Sequence, residues 1–139
     1  MAAIGTRKLK IEVDGTPRTA EVSNVRITSA ESDSDFITFE EAASGGGRDY
    51  AVVITMTQDA ATGSLWREVW DNAGDDIPIT VMPYGNAVAT ATEPHFEGTA
   101  TITEPDGDLL GTEANKSSTA RATIEVTWPM LAKPTLVTS

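Results

Sequence analysis

Apolar and polar residues alternate along most of this chain, and the alternation predicts strands. In RKLKIEVDG, Leu9, Ile11 and Val13 share one face and Lys8, Lys10 and Glu12 the other, before DGTP supplies a turn and a first hairpin. The return arm RTAEVSNVRITS keeps Ala20 and Val22 in phase but sets Val25 and Ile27 one residue out, which predicts a bulge near Ser23 and Asn24. YAVVITMT is apolar on both faces and predicts a central strand. DDIPITVM aligns Ile77, Ile79 and Val81, while Pro78 and Pro83 point to a sheet edge. PHFEGTATIT turns Phe96, Gly98, Ala100 and Ile102 inward and leaves His95 on the outer face. TARATIEVTW, with Ala120, Ala122, Ile124, Val126 and Trp128 on one face, is the cleanest amphipathic strand. Beyond it, PMLAKPTLVTS reads as an extended C-terminal arm at about 129–139, interrupted by Pro129 and Pro134.

One segment breaks the period of two. In SLWREVWDNAG, Leu65, Trp66, Val69, Trp70 and Ala73 fall on one helical stripe, with Arg67, Glu68, Asp71 and Asn72 opposite. Thr62 or Ser64 suits the N-cap and Gly74 the left-handed residue after the end. A helix of this length does not persist alone in water, so its stripe of Leu65, Trp66, Val69 and Trp70 must pack on the sheet. The pattern as a whole predicts an all-β fold, a sandwich or half-barrel of about seven antiparallel strands with one short flanking α-helix. It occupies a single domain over residues 1–139, with a long hairpin at about 29–49 that is acidic and rich in small residues around Phe36, Ile37 and Phe39.

Composition narrows the function classes. The 40% hydrophobic and 22% charged residues are ordinary for a folded domain. Absence of cysteine removes disulfides, thiolate metal sites and cysteine nucleophiles. A net charge of −11 opposes a phosphate backbone, although an acidic wall also lets a polyanion slide past without sticking. No apolar run approaches a membrane span and the N-terminus lacks the apolar core of a secretion signal, so synthesis in the cytoplasm and no membrane partner are expected.

Candidate chemistry is sparse. His95 is the sole histidine and supports neither a histidine metal site nor a serine triad; a partly exposed structural role is expected. The acidic clusters Glu31–Asp35, Asp71–Asp76 and Glu104–Glu113 offer two or three carboxylates each but match no calcium loop, and read as solvated charge. Gly45–Gly47 lies in no phosphate-cradling context. No enzyme activity, metal or cofactor is expected.

Residues 63–129 carry a resemblance. Leu65, Trp66, Trp70 and Asn72-Ala73-Gly74, the Pro83-Tyr84-Gly85-Asn86 turn, Pro94-His95-Phe96 with Gly98, and Gly111-Thr112-Glu113 ahead of Val126-Thr127-Trp128-Pro129 resemble, in this order and spacing, the major tail tube proteins of long-tailed phages, especially those of actinobacterial hosts. The resemblance implies a virion structural protein, assembled in the host cytoplasm, whose hexameric rings stack into the tube through which the genome is ejected. It implies other copies of itself as partners, along with tape-measure, terminator and baseplate or tip proteins, and DNA only as non-specific cargo. Under that reading Phe36, Ile37, Phe39, Glu40, Glu41 and Arg48 of the long hairpin form the contacts between subunits and stacked rings. The alternatives are a terminator or connector of the same fold, and a carbohydrate-binding β-sandwich, which would expose Trp66, Trp70 or Trp128 as a sugar platform.

Overall fold

The computed structural model describes residues 3–31, 36, 38–43 and 48–139. Within them, β1 (Lys10–Val13) and β2 (Thr16–Pro17) form a tight hairpin, and β3 (Val22–Glu31) and β4 (Arg48–Thr57) a long one. They are followed by β5 (Asp76–Met82), β6 (His95–Thr101), β7 (Thr123–Met130) and β8 (Thr135–Val137). All pair antiparallel in one open sheet of order β2-β1-β5-β6-β7-β4-β3, with β8 also on β6. A five-residue helix α1 (Phe39–Ala43) lies in the β3–β4 connection, and α2 (Leu65–Asp71) lies between β4 and β5. The protein is thus all-β with a single helix, α2, built into its core.

The sheet curls. Ile11 and Val13 of β1, Ile79 and Val81 of β5, Val52, Ile54 and Met56 of β4, and Ile124, Val126 and Trp128 of β7 belong to one buried cluster, although they come from both ends of the strand order. Only a sheet wrapped around that cluster brings such residues together, giving the half-barrel its alternating inward faces call for. The burial of β7 alternates residue by residue, as its sequence pattern predicts.

Several expectations need correction. The first hairpin turns at Asp14 and Gly15, both with positive φ, but its return arm ends at Pro17. A short 3-10 turn at Thr19–Glu21 then carries the chain to β3, which pairs with β4 instead of β1. The bulge sits where the phase slip placed it, between Val22 and Asn24. β5 is an interior strand, flanked by β1 and β6. Pro78 is tolerated there because its carbonyl accepts from Asp14 N at 2.8 Å, so its donorless nitrogen faces the hairpin turn of β1 and not a ladder position. Pro129 lies inside β7 for a similar reason. Leu131 N donates to Thr99 O at 3.0 Å, so Met130 turns its backbone toward β4 and Pro129 turns away. The C-terminal segment is no extended arm: β8 folds back on β6, with Leu136 opposite Phe96. Gly98 makes room for this return, since a Cβ there would meet the Met130 methyl and approach Pro134. His95 is buried, not partly exposed; its Nε2 lies 3.0 Å from Asn86 O, and Asn86 Nδ2 in turn reaches the carbonyls of Val88 and Glu93.

α2 is tied down at its N-terminus by charge as well as by its cap. Ser64 Oγ accepts from Arg67 N at 3.2 Å in the usual N-cap manner. Glu21, far away in sequence, accepts from Leu65 N through Oε1 at 2.9 Å and from Arg18 Nη1 through Oε2 at 3.0 Å. Arg18 is buried and also donates to Gly63 O at 2.6 Å, with Glu68 3.8 Å from its Nη2. A carboxylate on the first amides of a helix is favoured by its dipole. Removing Glu21 strands a buried guanidinium. Glu21→Ala is expected to lower unfolding stability by about 3 kcal/mol, the low end for breaking a buried pair because Glu68 stays near, against about 1 kcal/mol for Ser64→Ala; urea midpoints at unchanged slope measure both.

Candidate assembly surface

The curled sheet ends on one side in the two-residue β2 and on the other in the ten-residue β3. Among the described residues β3 has a strand partner on one side only. Backbone groups alternate sides along a strand, so the orientation of Met130 toward β4 fixes that of its partner Tyr50, then of Ala51 and Thr28. By that alternation Thr28 faces β4, whereas Ile27 and Ser29 direct N–H and C=O outward. β3 therefore presents a template for one more strand, a feature that monomeric proteins usually blunt.

Beside this edge the curl leaves a seam. A cleft of about 640 Å³, within the roughly 300–1,000 Å³ range of binding pockets, runs between β3–β4 and β6–β8. Its walls are mostly apolar, including Leu9, Val25, Ile27, Tyr50, Phe96 and Leu136, with Lys133 among them. The residues just before β1 lie along it, held by the turn after β5: Gly85 has positive φ, and a Cβ there would collide with Lys8 O. Arg7, Lys8 and Lys10 border the adjoining hollow, which shares Leu9 with the cleft. Four of the ten basic residues of this acidic chain thus gather around the seam.

The β3–β4 connection starts at the end of these strands where Glu31 pairs with Arg48. Phe36 is 77% exposed and Phe39, at the start of α1, 96% exposed. Glu40 is exposed on α1, and Glu41 contributes backbone to that helix, its side chain falling outside the described set. Ile37 lies outside the described residues. Arg48 stays at the base, donating from Nε and Nη2 to Ser29 Oγ at 3.1 and 2.9 Å, so it braces the hairpin instead of joining the aromatic tip. Alternation alone did not anticipate α1, because five residues carry no helical period.

The helix stripe divides. Leu65, Trp66 and Val69 are core residues, and Trp66 donates from Nε1 to Leu109 O at 2.9 Å. Trp70 does not join them. It remains 51% exposed and stacks on Trp66 with ring centroids 5.4 Å apart and planes at 24°. Val69 in the same turn is fully buried, so Trp70 lies at the flank of the stripe and covers its neighbour Trp66. Trp128 is fully buried and donates to Thr103 O at 3.2 Å.

The remaining candidates stay apart. No group of three His, Cys, Asp or Glu among the described residues is placed to hold a metal ion, and no described helix is long and apolar enough to cross a membrane. In the Asp71–Asp76 cluster the structure gives two carboxylates local partners: Asp71 accepts from Arg67 at 2.9 Å, and Asp76 from Thr101 Oγ1 at 2.6 Å. Asp33 and Asp35 lie outside the described residues. Two features escaped the sequence reading. Leu136 of the seam was hidden in a segment taken as an arm, and the Arg18–Glu21 tether lies in a polar stretch without any motif.

No protein-family model matches this sequence, and no curated protein matches it significantly. The two indoles of α2 differ enough in environment to be separated by mutation. Trp66→Ala is expected to cost about 3–5 kcal/mol as a core truncation, and Trp70→Ala about 1 kcal/mol for the lost stack; equal losses in urea unfolding would contradict the burial difference.

Proposed function

We propose that this protein is a structural subunit that assembles with copies of itself, in the manner of the tail tube of a long-tailed phage. The observation that carries the reading is the ten-residue β3 edge, partnered on one side only, at the end of an open curled sheet. Joining such edges between neighbours continues each sheet into the next and removes the exposed template, and a ring closes when the rotation between copies does. The resemblance of residues 63–129 supplies the hexameric ring and the stacked tube, with the tape-measure, terminator and tip proteins as further partners. The charge of −11 per copy supports a conduit for DNA that repels its cargo without gripping it. Nothing in the residues described calls for catalysis or a cofactor in this role.

The half-exposed Trp70 favours a second reading, a carbohydrate-binding module, although it is a single open ring whose stacking neighbour is buried. A glycan-dependent change in tryptophan emission that disappears in Trp70→Ala selects that reading over assembly.

The assembly reading is tested by electron microscopy of the purified protein, where rings or tubes are expected. With Ser29→Ala as the control for the hydroxyl that accepts from Arg48, Ser29→Pro deletes an outward N–H of β3 without removing a backbone bond to β4. It is expected to retain the wild-type far-ultraviolet dichroism and to form neither rings nor tubes. Wild-type particles that stay single at every concentration overturn the proposal.

A further inference from the structure

The seam and the hairpin tip are complementary in two independent respects. The first is apolar content. The cleft exposes Ile27 and Leu136 on its walls, and no described residue of the β3–β4 connection lines it, whereas Phe36 and Phe39 of that connection are 77% and 96% exposed. The second is charge. The connection is acidic in sequence, with Glu31, Asp33, Asp35, Glu40 and Glu41 around the two phenylalanines, while Lys133 lines the cleft and Arg7, Lys8 and Lys10 border its neighbour. A knob of one chemistry and a socket of the matching chemistry lie on one polypeptide.

We infer that the seam is the receptor for the Phe36–Ala43 segment of a second copy of this chain, with Phe39 seated among Leu9, Ile27, Tyr50, Phe96 and Leu136, and the acidic flanks set against Lys133 and Arg7. This deepens the assembly reading and rests on it, since it names what occupies the groove beside the β3 edge. The contact is heterologous: knob and socket are different surfaces, so each copy offers one of each and the contact repeats from copy to copy. An aromatic anchor in an apolar pocket with a charged rim is the usual anatomy of an interface hot spot. Opposite charge on the two surfaces adds orientation and rate of encounter, and makes assembly sensitive to salt.

The test uses two variants that leave the core untouched, Phe39→Glu in the knob and Ile27→Glu in the socket. Each alone is expected to weaken self-association in sedimentation by about tenfold or more, with unchanged far-ultraviolet dichroism. Mixed in equal amounts, they retain one intact knob and one intact socket, so pairs are expected to return without longer assemblies. A second measurement exploits the absence of native cysteine. A chain carrying both Phe39→Cys and Leu136→Cys is expected to give a ladder of covalent multimers on oxidation. A bond formed only within one chain overturns the inference, because the tip then closes its own groove. Wild-type association by either glutamate variant overturns it also, and a mixture that stays unassociated does the same. If Ser29→Pro abolishes assembly while Phe39→Glu does not, the inference fails and the edge-pairing reading stands; a wild-type protein that never associates defeats both.

Discussion

An eight-stranded sheet can wrap around a single core only if its concave side is filled, and α2 completes the filling. Leu65, Trp66 and Val69 enter the cluster that β1, β4, β5 and β7 share, and full burial of each such side chain contributes roughly 1.5–3 kcal/mol. Against a total stability of about 5–15 kcal/mol for a domain, three such side chains decide whether the curl holds. The helix is too short to form by itself, so its position is imposed from outside, by Ser64 at its cap and by the Arg18–Glu21 pair at its first amide.

Much of this architecture was legible in the residue pattern, and the reasons are local. The residue-by-residue alternation of burial in β7, the two-faced apolar β4 and the bulge before Asn24 each follow from a period or from a slip in one. The same kind of evidence put α2 between Ser64 and Gly74. Where pairing partners mattered, the pattern was silent or misleading. Pro78 and Pro129 suggested edges and ends, yet both sit in strands because their nitrogens face positions where no ladder bond is made. Trp70 fell on the apolar stripe but lies outside the core, since periodicity gives direction around a helix and not depth along it. Of the proposed contact residues, Phe36 and Phe39 are exposed, Arg48 is engaged with Ser29, and the receiving groove had no sequence signature because it is assembled from six separated segments.

The sheet's openness and its acidity act on the same problem from opposite sides. A long edge with no second strand partner among the described residues, beside an apolar seam, invites association, whereas eleven net negative charges per copy resist it. A surface on which four of the ten basic side chains gather around the seam directs the encounter toward one orientation and discourages the others. Under the proposed assembly, selectivity of this kind would favour pairing between identical copies.

Glu21 immediately precedes β3 and also grips the opening amide of α2. Outer strand and helix are therefore linked through one carboxylate. Were copies joined through β3 as proposed, any shift of that strand would bear first on the Glu21–Leu65 bond, and the stacked indoles one turn along the helix would stand as an intrinsic optical reporter beside the joint.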